Sequence, residues 1–126
     1  MLPLKHRAVF CRALALQLAA GAEPVSAAGT AAAALPSRWH PAGERLTTAL
    51  TRGDSFHGAL KAAALLPPSD LALVAIGERS GALDEVLREL ADIAEETSAR
   101  SEGGSRAAAL SAPWKESPRV SAVVRR

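Results

Sequence analysis

The stretch from Leu83 to Ala94 constrains the fold more than any other. Leu83, Val86, Leu87, Leu90, Ile93 and Ala94 fall at i, i+3, i+4, i+7, i+10 and i+11, with charged or small residues between them. A period of 3.6 residues places all six on one side of a helix, and that side must be covered by something. The rest of the chain offers only further helices. Its apolar fraction, 48% of 126 residues, is mostly Ala and Leu, with no Tyr, two Phe and two Trp. Ala and Leu lose least on entering a helix, whereas a sheet would draw on β-branched and aromatic side chains.

Proline and glycine divide the remainder into five more helices. Residues 9–20 place Val9, Phe10, Ala13, Leu14, Gln17 and Leu18 on one side, with Lys5, Arg7 and Arg12 off that stripe. Gly21 stops this helix, and Glu23-Pro24 suits the start of an alanine-rich second one that runs to about Leu35. Pro36 and Pro41 bracket a break before a third helix over 42–51, with Leu46, Ala49 and Leu50 facing inward. Gly53 ends it, Asp54-Ser55 offers a cap, and a short fourth helix follows over 56–64 on Phe56, Ala59 and Leu60. Leu66-Pro67-Pro68 forces the chain out of helix, and a fifth begins at Pro68 or Ser69. Its run Leu71–Ile76 is apolar nearly all round, which predicts burial at the centre of the molecule.

The expected fold is therefore an all-α, antiparallel helical bundle of about six helices spanning residues 8–98. Residues 1–7 read as an N-terminal extension. Residues 99–126, rich in Ser, Gly, Arg, Ala and Pro without a periodic apolar face, read as a disordered basic tail. Charge divides the same way: residues 1–96 carry net −2 and 97–126 net +4, so the basic character belongs to the tail. The longest stretch without charge, Pro24–Ser37, is 14 residues with two prolines, too short for a membrane span. Lys5, His6 and Arg7 before an apolar stretch imitate a secretory leader, and Arg12 in its middle opposes that reading. The lone Cys11 excludes an internal disulfide and suits a small core residue in a reducing cytoplasm.

Chemistry is hard to find. His6, His40 and His57 lie far apart, none beside a Cys, Asp or Glu at ligand spacing, so no metal is expected. Gly77-Glu78-Arg79-Ser80-Gly81 has its serine in the wrong place for a nucleophile elbow, and Gly103-Gly104 lacks the lysine of a phosphate loop. No activated nucleophile, acid–base pair or cofactor motif is present, which points to a non-enzymatic protein without cofactors. One feature rises above background. Glu85, Glu89, Asp92 and Glu96 line one side of the sixth helix, flanked by Asp84 and Arg88, with Glu78 nearby in the preceding turn. Two readings stand: a solvated face, or a docking face for a basic partner or a cation.

Several segments together resemble a known family. Phe10-Cys11-Arg12 followed by Leu14, Leu16 and Gly21 is similar to the opening helix of the type II secretion system F domain. That domain belongs to inner-membrane platform proteins of type II secretion, type IV pilus and tight-adherence systems. Leu46, Leu50, Gly53, Ser55, Phe56, Ala59 and Leu60 resemble its middle portion, and Val74–Leu87 looks like its G-E-x-S-G-x-L-x-x-V-L signature. The resemblance spans residues 8–96. It implies a six-helix cytoplasmic bundle that dimerises and contacts the assembly ATPase and other platform subunits; the charge pattern, separately, makes Glu78, Asp84, Glu85, Arg88, Glu89 and Asp92 the expected contact residues. Family members usually carry two such domains and about three membrane helices. This chain shows one domain and no span, as a truncated relative or a free-standing bundle held at the inner membrane through partners would. The alternative is an orphan bundle whose basic tail binds nucleic acid or an anionic membrane, which salt would weaken steeply.

Overall fold

The computed structural model describes residues 1–102, with side chains through Arg100. Of the tail expected over 99–126, residues 99–102 instead continue the last helix, and residues 103–126, with the proposed binding roles, lie outside the described residues. The helices are α1 (Leu4–Ala19), α2 (Pro24–Ala33), α3 (His40–Thr51), α4 (Phe56–Ala63), α5 (Pro68–Ser80) and α6 (Leu83–Glu102), with a 3-10 turn at Ser37–Trp39 before α3. No strand occurs among the described residues. The all-α bundle of six helices is thus the observed fold.

Each helix packs on the next in sequence, and α6 returns to pack along α1, which closes the six into a ring. The α1–α6 seam is the most extensive in the molecule. Phe10, Cys11 and Leu14 of α1 are fully buried, as are Leu87 and Ala91 of α6. Around this pair the core is completed by Ala27, Ala28 and Ala31 of α2, Leu46 and Ala49 of α3, and Leu60 of α4. Alanine-rich α2 serves a purpose here, since small side chains let it lie close against both α1 and α3.

Local signals behave as the residue types dictate. The Ser55 hydroxyl accepts the Gly58 N–H and caps α4. Pro24, Pro41 and Pro68 sit in first turns, where a missing N–H costs nothing. Pro41 therefore begins a helix rather than bracketing a break outside it. Gly81 closes α5 at φ +76°, a left-handed position that glycine takes without penalty. Gly77, one turn earlier, fits because a Cβ there would stand 2.9 Å from Val86 Cγ2 and 3.2 Å from Leu83 Cα. The α5–α6 hairpin closes tightly at that point.

Three expectations need correction. The stripe on α1 is rotated: Phe10 and Leu14 are buried as anticipated, and Cys11 is the small core residue expected, but Val9 is 48% exposed while Ala8 and Ala15 go inside. A helix held between two neighbours buries a wider arc than a one-sided amphipathic pattern describes. Residues 1–7 are not an appendage, because α1 begins at Leu4 and Leu2 is fully buried with its N–H donated to the Leu65 carbonyl. And α5 is not central. Of its 13 residues only Val74 and Gly77 are buried, with Leu71, Leu73 and Ile76 half-buried. It contacts α4 and α6 chiefly, and an all-round apolar run does not reveal how many neighbours a helix will find.

Two substitutions test this packing. Leu2→Ala should cost about 2–4 kcal/mol, as a core leucine does, and urea denaturation would show it; a loss below half a kilocalorie would return residues 1–7 to the status of an appendage. Ala64, the C-cap of α4, is exposed and held at φ +56°. Ala64→Gly should raise the unfolding free energy by about 1 kcal/mol in the same assay.

Candidate partner-binding site

The residues singled out by their charge lie on the last turn of α5 and along α6, and the fold treats them unequally. Glu78 reaches across the α4–α5 corner. Its carboxylate accepts the backbone N–H groups of Phe56, at 2.5 Å, and His57, at 3.0 Å. These are among the N–H groups that the start of α4 leaves without an intrahelical partner, and a negative charge there also complements the helix dipole. Glu78 further lies 3.0 Å from His57 Nδ1. With its side chain 22% exposed, this arrangement stabilises the corner by about 1–2 kcal/mol. The segment 53–57 and the segment 77–81, matched separately to a family pattern, thus meet through one carboxylate.

On α6 the acidic positions divide between interior and surface. Glu89 is buried, at 7% exposure, and takes no part in a uniform solvated stripe. Asp92 and Glu95 both accept from the Arg12 guanidinium, at 2.5 and 2.9 Å, so that α1 and α6 are clasped by charge beside their apolar seam. Those two acceptors hold the Arg12 guanidinium's proton more tightly than usual. Asp84 pairs with Arg88 at 3.9 Å and Glu96 with Arg100 at 3.7 Å, both one turn apart along the helix. Such exposed pairs contribute about 0.3–0.5 kcal/mol each. Of the six residues expected at a docking face, then, Glu78, Glu89 and Asp92 are engaged in or against the bundle. Asp84, Glu85 and Arg88 remain half-exposed on the first turns of α6. The clasp on Arg12 escaped the sequence because its acceptors lie 80 and 83 residues away.

The side chains that suggest reactivity are arranged for structure. Ser55, His57 and Glu78 come together, yet the Ser55 hydroxyl (3.2 Å) and the Glu78 carboxylate (3.0 Å) both face the same imidazole nitrogen, Nδ1. A base that activates a hydroxyl uses its two ring nitrogens for the two partners, so this is a cap rather than a triad. The Cys11 thiol is pushed up to about 12 by burial, with the Asp70 charge adding to it, and thiolate chemistry at neutral pH is closed to it. His40 Nε2 bonds the Leu35 carbonyl at 2.9 Å, and His6 is half-buried on α1. Among the described residues no group of three or more His, Cys, Asp or Glu is placed to hold a metal ion.

Two of the grooves on the surface border these helices or their neighbours. One, of about 530 Å³, runs between α3 and α4 past Glu44, Arg45, Thr48 and Arg52. The other, of about 470 Å³, is mainly apolar and lies between α1, α5 and α6, with Leu4, Leu73, Leu90 and Ile93 on its walls. At its edge Arg7 stands 3.9 Å from Asp70. No helix among the described residues is long and apolar enough to cross a membrane.

A closed six-helix ring whose polar side chains cap and clasp helices defines an all-α structural domain. Comparison with known proteins places it. The chain matches the family model for the type II secretion system protein F over residues 10–121, and it belongs to that family. The type 4 fimbrial assembly protein PilC of Pseudomonas putida is 41% identical over 88 residues, which is 69% of this chain and 22% of that relative. The chain thus spans about a fifth of the relative's length. No solved structure matches. The family is that of the platform proteins of type II secretion and type IV pilus assembly.

Burial raises the Asp70 carboxyl above its ordinary 3.8, against the opposing pull of Arg7. The folded group therefore holds its proton more tightly than the unfolded one. Its stabilisation is complete below the unfolded value and is lost as pH rises through the folded one. Relative to Asp70→Asn, the native chain should lose stability as pH rises from about 4 to 7, read from urea midpoints at each pH. A native chain that gains on the variant over that window would contradict the burial argument.

Proposed function

We propose that this chain is a non-enzymatic interaction module of a type II secretion or type IV pilus assembly platform, which docks the assembly ATPase or other platform subunits. Family membership over residues 10–121 is the observation that carries this reading, and the relative named for type 4 fimbrial assembly supports it. The internal use of polar side chains agrees with it, since a domain that serves as scaffold needs caps and clasps more than activated groups. In a longer platform protein such a domain would work at the inner membrane, and a second copy of the domain is a further candidate partner.

The contact surface proposed is the accessible beginning of α6. Asp84, Glu85 and Arg88 are half-exposed there, whereas Glu78, Glu89 and Asp92, on the same two helices, act by holding that surface in shape. Acidic side chains on a helix surface steer a basic partner surface and set its register more than they add raw affinity.

Capture of purified assembly ATPase and platform subunits from the same organism by the immobilised chain is the test. Binding is expected, and Glu85→Lys should weaken it about tenfold while the circular dichroism stays helical. If neither partner is retained, the docking role fails. If both are retained and Glu85→Lys binds as well as the native chain, the surface lies elsewhere.

A further inference from the structure

We propose that α5 is the first helix of the bundle to detach, and that Glu78 makes its detachment and the unravelling of the first turn of α4 a single event. The inference does not depend on the docking role, because it concerns only how the ring opens.

Three observations carry it. First, α5 is the least buried long helix: two of its 13 residues are inside, against five of 16 in α1 and four of eight in α4. Opening free energy follows the apolar surface a segment buries, so a helix with few interior residues detaches well before the whole molecule unfolds. Second, α5 borders an open surface groove where a packed seam would otherwise be. The apolar groove of about 470 Å³ lies under its first half, lined from α5 by Ser69, Asp70, Ala72 and Leu73. Missing neighbours on that side forfeit dispersion contacts that a filled seam would have. Its Arg7–Asp70 ion pair to α1 is long at 3.9 Å.

Third, Glu78, the side chain that fastens α5 to the start of α4, is bonded to backbone groups there. Phe56 and His57 donate their N–H groups to Glu78 and, standing in the first turn of α4, have no carbonyl one turn back within that helix. When α5 leaves, those two N–H groups lose their acceptor, whereas Gly58 keeps its own cap on the Ser55 hydroxyl. The coupling thus has residues attached to it. It also has a consequence: detachment uncovers Val86, which packs beneath Gly77, together with Leu71, Leu73 and Ile76 of α5 itself.

Native-state hydrogen exchange followed by NMR on the whole chain tests the proposal. Amides of α5 should exchange about 100-fold faster than the slowest amides of α1 and α6, after correction for intrinsic rates. Phe56 and His57 should exchange with α5 and not with the interior of α4. Glu78→Gln should speed exchange of α5, Phe56 and His57 about tenfold and leave α1 and α6 unchanged. Ser55→Ala is the control, and should speed Gly58 alone among these. If Glu78→Gln does not fold, the native pattern and Glu78→Asp still decide the matter. Exchange of α5 in step with α1 and α6 would overturn the proposal, as would early exchange of α5 with Phe56 and His57 left protected.

Discussion

The pairing of α1 with α6 governs the rest of the structure. Neither helix can bury its apolar face on its sequence neighbour alone, since α2 and α5 each cover only one side. Bringing them together joins segments about 80 residues apart, and the entropy of closing so long a loop must be met by what the seam buries. Phe10, Cys11, Leu14, Leu87 and Ala91 provide that burial, and Arg12 between Asp92 and Glu95 fixes the register at its rim. With the seam formed, α2 to α5 lead the chain back from one helix to the other, each packed on the next, and the ring closes.

Against that frame the polar residues of the family pattern acquire physical roles. Gly77 is required by the nearness of Val86 and Leu83, and Gly81 by its left-handed turn. Glu78, between them, supplies an acceptor to the start of a helix, at residues 22 and 21 positions earlier in the chain. A motif that reads as a turn followed by an apolar stripe therefore also ties a second segment to itself. Glutamine would keep the shape and lose the charge that makes the tie strong.

Much of this fold was legible in the sequence. Helix existence followed from the period of Leu83–Ala94 and from Pro24, Gly53, Ser55, Pro68 and Gly81, each a local signal with a local cause. What failed was non-local. The exposure of Val9, the burial of Leu2 and the peripheral place of α5 depend on how many neighbours an element meets, and nothing within a window of a few residues carries that number. The candidate site divided on the same line. The charge pattern found Glu78, Asp84, Glu85, Arg88, Glu89 and Asp92, but only the fold separates Glu78, engaged at another helix's N-terminus, from Glu85 on the rim. Glu89 shows why pattern alone misleads, because an acidic residue amid other acidic residues reads as solvated until a buried environment is seen around it.

The closed ring has a consequence for synthesis. A ribosome releases α1 first and α6 last among these helices, so the inward face of α1 waits for its principal partner until five further elements have emerged. During that interval Phe10 and Leu14 are open to any apolar surface, a nascent neighbour or a chaperone included. The molecule is thus most vulnerable while it is being made, and the small residues Ala8, Cys11 and Ala15 that line the same helix keep the waiting surface modest in area.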